Sequence, residues 1–497
     1  MSANDFQLGN APIIALVVYL FVMIGIGFLG RARSERASLR DFYLGGSGFG
    51  MVVLFLTLFA TQYSGNTMLG FAGRAYRQGG TYVVSIMFMI LGITVISIYA
   101  PRLFRLSRKF GYITPVDYIF HRFGSHPLRI VCMILLCWGL GNYILEQLVA
   151  MGHAVEGLSG GRIPFMAGVV VLVVVMLTYE TLGGMRSVAW TDAVQGVVLF
   201  GGCMCLLYVV LSTEGGLPAA TEIIQRPEVA PEKIQVPDGH GIRQWISSML
   251  LLMFGVALYP HAMQRIFAAR NLKTLRVSLA GMAFMPFVTT FLAFLLGYIA
   301  ISRLPGLSTM ESDQVTVRML VSVVDANAFV YWLVVAVFVA LVAAIMSTSD
   351  SALLSIQSMV TKDLYKVYIN PNASTKNLLW TGKIFGWVLM AVLVLSAWVS
   401  LKSESSLWLL IKLKFEFMVQ ISPAFLLGLF WRRLSAWAVL SGILVGTIFT
   451  LVLWVGAAAG VWDEALRSPW GISAGIWGLA MNYVVCIAGG LIRPADK

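Results

Sequence analysis

A row of oxygen-bearing side chains ends a long apolar run that begins near Ala328, within the stretch VAAIMSTSDSALLS at residues 342–355. Ser347 and Ser351 are four residues apart and Thr348 follows Ser347, so a helix places these three hydroxyls on one face. Hydroxyl and carbonyl oxygens are hard ligands that suit a hard cation. The pattern fits a cation site. It fits equally well close helix packing in which Ser and Thr bond back to their own helix.

A second polar patch interrupts an apolar segment at residues 59–73, where Gln62, Ser64 and Asn66 stand among glycines. Amide side chains are costly in lipid without partners, so this composition predicts a local break of the helix. A break frees backbone carbonyls to coordinate an ion. Small-residue helix packing is the alternative interpretation.

Glu146 and Asp192 are carboxylates within apolar segments and are therefore candidates for function. Glu146 is one helical turn after Asn142, so both can face a common cavity or form a structural hydrogen-bond pair. Asp192 can ligate a cation, carry a proton or pair with Arg186.

Charged residues recur in the segment at residues 406–423. Lys412 and Glu416 are one turn apart and can pair, whereas Lys414, Phe417 and Gln420 can reach a central cavity.

The elements that position these residues are membrane helices. Hydrophobic residues make up 59% of the chain and charged residues 12%, and the mean hydropathy is +0.83, which is typical of a polytopic membrane protein. About thirteen segments reach the ~20 apolar residues that a spanning helix needs, and residues 11–30 are read as a retained helix, not a cleaved signal. Their centres lie near residues 20, 61, 91, 140, 172, 199, 254, 288, 340, 388, 417, 448 and 482.

The net charge of +12 is distributed as in a membrane protein, not as in a nucleic-acid-binding one. One set of alternate loops carries more than twice as many Lys and Arg residues as the other, including Arg102, Arg105, Arg270 and Lys273. By the positive-inside rule this side is cytoplasmic, which places the N-terminus outside and the C-terminus inside.

Soluble modules and enzyme chemistry find no support in the sequence. The longest non-apolar stretches, roughly residues 212–242 and 303–327, are short, so a single transmembrane domain is expected over residues 1–497. All five cysteines fall in apolar segments and predict no disulfide framework. We find no nucleophile–base pair, phosphate loop or metal motif, and we expect no enzyme activity.

The chain resembles the sodium:solute symporter family, which includes bacterial proline, pantothenate and sialic acid carriers. The resemblance rests on GGMRSVAWTDAVQG at residues 183–196, AAIMSTSDSALL at 343–354 and TKDLYK at 361–366. It implies an all-α fold with a 5+5 inverted-repeat (LeuT-like) core. The repeats would be residues 50–211 and 243–431, with one helix before them at 11–30 and two after them at 435–492.

Matching the family motifs implies a sodium site formed by two hydroxyls and three backbone carbonyls. The hydroxyls belong to Ser347 and Thr348, and the carbonyls to Ala60, Tyr63 and Ala344. A second site for a cation or proton would use Asp192, Asp350 and Ser351. Asp350 stands where relatives carry Ser, and two close carboxylates repel unless a cation or proton lies between them.

The resemblance also implies a substrate cavity between the repeats, with lining residues Gln62, Ser64, Asn66, Asn142, Glu146, Leu252, Val256, Phe417 and Gln420. Leu252 and Val256 replace the Trp and Tyr of proline carriers, which argues against proline as the solute. The stretches GGMRSVAWTDAVQG at residues 183–196 and LLLMFGVALYPHAMQRIF at residues 250–267 are similar to those of the carrier module of histidine-kinase-fused transporters. An amino acid such as histidine or a small carboxylate is therefore expected as the solute.

Together these expectations describe a carrier in the cytoplasmic (inner) membrane that imports its solute by alternating access. Na⁺ is the expected coupling ion, with no other cofactor, no nucleic acid and no obligate protein partner. A proton-coupled carrier of the same fold and a non-transporting solute sensor remain the alternatives.

Overall fold

Helices account for nearly all of the computed structural model, which describes residues 9–32, 38–212, 216–324, 327–402, 407–461 and 464–493. The first half comprises α1 (Ala11–Ala32), α2 (Leu39–Leu44), α3 (Met51–Gln62), α4 (Gly65–Met68), α5 (Gly70–Gln78), α6 (Val84–Phe110), α7 (Pro115–Phe123), α8 (His126–Leu158), α9 (Phe165–Ser212) and α10 (Gly216–Ile224).

The second half begins with a shorter spacing of elements and ends in long helices. It comprises α11 (Gly239–Ala257), α12 (Pro260–Ala268), α13 (Leu272–Met282), α14 (Met285–Val288), α15 (Thr290–Arg303), α16 (Thr309–Asp313), α17 (Val315–Ser322), α18 (Ala328–Met359), α19 (Thr375–Lys402), α20 (Leu407–Met418), α21 (Ser422–Phe430), α22 (Ala436–Ala458) and α23 (Ala474–Ile492). A π-helical turn, Val360–Ile369, continues α18. Among the described residues, extended pairing is confined to one isolated bridge between Phe49 and Ala269.

Each of the thirteen predicted segment centres lies in a helix. Ten helices in the described ranges are long and apolar enough to span a bilayer, or eleven if the bent pair α11–α12 counts as one span. The lower count has two local causes. Helix α9 holds two predicted segments joined at Gly184, whose φ of 53° and ψ of −143° are not helical, and α3 is too short to qualify alone.

Two spans are broken near their middles, and the first break lies within residues 59–73, where the polar patch predicted it. Tyr63 and Ser64 have extended backbone (ψ 95° and 172°) between α3 and α4. Leu258 and Tyr259 separate α11 from α12, which are bent by 43°, and Pro260 begins α12, where its missing N–H has no helical partner to lose.

Helix α18 lies at the centre of the bundle. From Ala340 to Met359 every side chain is buried, and the helix packs against α1, α3, α4, α8, α9, α12 and α19. At the periphery, α19, α22 and α23 expose apolar side chains such as Val388, Leu395, Val452 and Val484, as expected of faces that contact lipid. The hydroxyl-rich end of α18 is therefore held in the protein interior.

Candidate functional site

The two hydroxyls at the start of the polar stretch of α18 face the end of α3. Ser347 Oγ donates to the carbonyl of Ala60 at 2.7 Å and to that of Ala344 at 3.1 Å. Thr348 Oγ1 donates to the carbonyl of Thr61 at 3.4 Å. The structure thus brings four of the five predicted sodium ligands into one neighbourhood and adds the Thr61 carbonyl, which the sequence did not single out.

The carbonyls are available because α3 stops inside the protein. The last four carbonyls of a helix have no N–H partner in that helix, and α3 ends at Gln62 with the chain extended beyond it. Tyr63, the fifth predicted ligand, lies in this break, and its hydroxyl donates to Met282 O at 3.3 Å. A Cβ at Gly65 would lie 1.9 Å from Ile345 Cγ1, so only glycine allows α4 this close to α18.

The donor set is made of neutral oxygens. Among the described residues, no three His, Cys, Asp or Glu side chains gather as ligands for a metal ion. Hydroxyl and carbonyl oxygens fit an alkali cation much better than a transition metal. The geometry at Ser347 and Thr348 can therefore hold Na⁺ between α3 and α18.

Asp192 of the predicted second site is bound by Arg265, which the sequence interpretation did not include among the site residues. Arg265 Nη2 donates to Asp192 Oδ2 at 2.9 Å, with both side chains fully buried. The same nitrogen donates to the Ser351 hydroxyl, and Thr57 donates to the same carboxylate oxygen. A built-in cation thus lies between Asp192 and Ser351.

Asp350 has a different partner. Its Oδ2 accepts from the hydroxyl of Tyr179, while its Oδ1 and Asp192 Oδ1 have no hydrogen-bond partner. Asp192 does not pair with Arg186, which instead binds Asp41 at 2.8 Å. The three residues proposed as a second site are therefore divided, since Asp192 and Ser351 meet on Arg265 and Asp350 bonds Tyr179.

A cavity lies beside the α3–α4 break. It is lined by Gln62, Ser64, Asn66, Thr67, Phe71, Met89, Tyr143, Leu252, Val256, Tyr259, Ile411, Lys414 and Phe415. Five of the predicted cavity residues are in this lining. Its walls come from α3, α4, α5, α6, α8, α11 and α20 and from the two breaks, so both broken spans contribute to it.

Glu146 reaches this cavity through its partners. Its Oε2 accepts from Lys414 Nζ at 2.7 Å and from Asn66 Nδ2 at 2.7 Å. The Lys414 ammonium also lies 3.9 Å from the centre of the Tyr143 ring. The sequence placed Lys414 within reach of the cavity, but it did not pair it with Glu146.

Three predicted cavity residues lie elsewhere. Asn142 donates to Trp138 O of its own helix at 3.0 Å, and the Phe417 ring packs against Trp138. Gln420 lies in the 3₁₀ turn Val419–Ile421, where the change of helical phase turns its amide towards Gly475 O, 2.9 Å away. The expected Lys412–Glu416 pair is present, with an N–O distance of 3.9 Å.

Comparison with known proteins gives the class of this carrier. The family model for the sodium:solute symporter family matches residues 42–446. The chain therefore belongs to the sodium:solute symporter family, and it is a multi-pass membrane protein, not an enzyme.

Its relatives carry several solutes. The chain is 26% identical to the osmoregulated proline transporter OpuE of Bacillus subtilis, over 97% of this chain and 95% of that one. It is 27% identical to the sodium/pantothenate symporter of Escherichia coli, over 89% and 90% of the two chains. A solved structure of a Na⁺-coupled sialic acid symporter has a TM-score of 0.79, with 19% identity and 99% coverage of both chains. That likeness establishes the shared inverted-repeat fold.

Proposed function

We propose that this protein is a sodium-coupled symporter that imports a small organic solute by alternating access. The observation that carries the proposal is the contact between Ser347 Oγ and the Ala60 carbonyl, 2.7 Å apart and 287 residues apart in sequence. A cation bound by these oxygens holds the broken span to α18. Its binding therefore favours one arrangement of the two helices over another, which is what coupling requires.

The drive comes from the membrane. One positive charge moving across ~100 mV gains about 2.3 kcal/mol, and a sodium gradient adds to this. The cavity borders the α3–α4 break that supplies the carbonyl ligands. Sodium binding would thus order the wall that the solute contacts, so the two bind cooperatively.

For the solute we propose an amino acid, with histidine as one candidate, or a small carboxylate. The proline and pantothenate carriers among the relatives support this range. Leu252 and Val256 line the cavity, and their difference from proline carriers argues against proline. For the location we propose the inner membrane with the N-terminus outside, on the basis of the loop charges.

Proton coupling is the second candidate. It is favoured by the unpartnered oxygens of Asp192 and Asp350, which are fully buried. A buried carboxylate oxygen without a donor is the kind of group that takes up a proton. A sensor that binds solute without moving it would keep the same sites, so only flux separates it from a carrier.

The test is uptake of labelled amino acids and carboxylates into proteoliposomes, with and without an inward sodium gradient. The Ser347→Ala/Thr348→Ala variant should lose sodium-dependent uptake. Ser349→Ala is the matched control, because Ser349 Oγ donates only to Ile345 O of its own helix, at 2.8 Å. Uptake that ignores sodium and follows a proton gradient would move the assignment to the carboxylates.

A further inference from the structure

One member of a buried ion pair belongs to the cavity lining. Lys414 is the charged residue of the lining, and Glu146 is its partner from α8, 268 residues earlier in the sequence. The exposed fractions of the two side chains are 2% and 0%. Because removing two charges from water costs about as much as their attraction returns, a buried pair of this kind is weak evidence of a stabilising role.

Neither member of the pair is saturated. Glu146 Oε1 has no hydrogen-bond partner, although Oε2 accepts two. An ammonium has three donors. Lys414 uses one of them in its hydrogen bond to Glu146 Oε2. The ring centres of Tyr143 and Phe415 lie 3.9 and 4.8 Å from the Lys414 nitrogen. Gln62 Nε2, also in the lining, is a buried donor without a partner. The spare donors of Lys414 and Gln62 thus belong to the cavity lining, and the spare oxygen of Glu146 lies on the carboxylate that Lys414 and Asn66 of that lining both contact.

These free groups match a solute that carries both charges. An ammonium on the solute can bind Glu146 Oε1 while its carboxylate binds Lys414 and Gln62, which pairs these three groups. A solute with only a negative charge would compete with Glu146 for Lys414. A solute with only a positive charge would bring a second positive charge next to Lys414. A solute of zero net charge also keeps the cavity neutral, as the ion pair already does.

We propose, building on the symport function above, that the Glu146–Lys414 pair is the specificity-determining element of the cavity and selects a zwitterion. Glu146 contacts the ammonium group and Lys414 the carboxylate. The aliphatic and aromatic wall formed by Phe71, Met89, Leu252, Val256 and Ile411 receives the apolar remainder of the solute.

The test measures ligand-induced thermal stabilisation of the purified full chain in detergent containing Na⁺. The probes are the genetically encoded amino acids and glycine betaine, followed by the decarboxylated amine and the deaminated acid that correspond to each compound that binds. We expect the matched amine and acid to bind the wild type roughly tenfold to a hundredfold more weakly than the zwitterion, because each leaves one buried charge unpaired.

Two variants should change the order of preference in opposite directions. Glu146→Gln leaves Lys414 as the only charge and should favour the acid, whereas Lys414→Met leaves Glu146 and should favour the amine. The double variant Glu146→Gln/Lys414→Met removes both charges and leaves no buried charge unpaired. It therefore tests discrimination between zwitterion, amine and acid even if a single variant fails to fold. It should bind amine, acid and zwitterion about equally. Lys412→Met/Glu416→Gln neutralises the neighbouring pair on α20 and should keep the wild-type order.

The proposal is overturned if the wild type binds monocarboxylates or uncharged sugars in place of zwitterions, or if the double variant still prefers the zwitterion. Repeating the titration with Na⁺ replaced by K⁺ separates this result from the proposed function. Zwitterion binding that is indifferent to sodium would count against sodium coupling and leave the charge selection standing.

Discussion

Arg265 is a fully buried cation that joins three helices to its own. Arg265 lies on α12, and its guanidinium donates hydrogen bonds to Thr57 of α3, Asp192 of α9 and Ser351 of α18. A buried charge holds such a position only when its partners compensate the loss of water. The guanidinium therefore fixes the placement of α18, which carries Ser347 and Thr348, relative to α9, which carries Asp192.

We predict that Arg265→Met destabilises the protein by about 3–5 kcal/mol, because it leaves the Asp192 carboxylate buried without its cation. Asp192→Asn/Arg265→Met should recover much of that loss, since no charge is then left unpaired. The measurement is the thermal unfolding midpoint in detergent, with Arg276→Met on the exposed face of α13 as control. Equal losses in the single and double variants would contradict this account.

The same residue shows where sequence reasoning ends. Lys412 and Glu416 could be paired in advance because a helix fixes the distance between positions four apart. Arg265 and Asp192 are 73 residues apart, and Lys414 and Glu146 are 268 apart. Whether such residues meet depends on tertiary packing, which no local pattern contains. The hydroxyls of α18 were found because their types are unusual in lipid.

At the scale of elements, the α3–α4 break is built from short polar and glycine residues, and this composition could be read in the sequence. The exact position of the break could not be predicted from the sequence, because it depends on the close packing of Gly65 against Ile345 of α18. Similarly, the positive φ of Gly184 comes from packing, since an added Cβ at this position would lie 2.6 Å from Phe42 O. The thirteen segments were correctly located while the number of unbroken spans was lower.

We predict that Gly65→Ala weakens sodium-dependent uptake much more than it lowers expression. A methyl group at this position would lie 1.9 Å from Ile345 Cγ1 and push α4 away from α18. Gly141→Ala on α8 is the control, because no atom lies within 4 Å of its added Cβ. The sodium concentration for half-maximal uptake in proteoliposomes should rise at least several-fold in Gly65→Ala and stay near wild type in Gly141→Ala. Unchanged sodium dependence in both variants would show that the close approach is dispensable.

For the whole molecule, the orientation is a prediction that rests on the loop charges. We predict that a cysteine placed at Glu228 reacts with a membrane-impermeant maleimide in intact spheroplasts, while one placed at Lys273 reacts only after the membrane is opened. Both side chains are exposed in the structure, so failure to react reports sidedness and not burial. The reverse pattern of labelling would invert the proposed topology and with it the direction of import.

The last two helices also bear on how the transporter responds to its surroundings. Helices α22 and α23 pack on each other, and Asn482 Nδ2 donates to the Gln420 carbonyl at 2.6 Å. Gly446 and Gly478 bring them so close that a Cβ on either would lie within 2.6 Å of Gln420 Oε1 or of the facing carbonyl. The hairpin is thus fastened to the turn that follows α20, and its outer face exposes apolar side chains such as Val452 and Val484. We therefore expect α20 and this hairpin to move together relative to the lipid, so that bilayer thickness affects any rearrangement of α20.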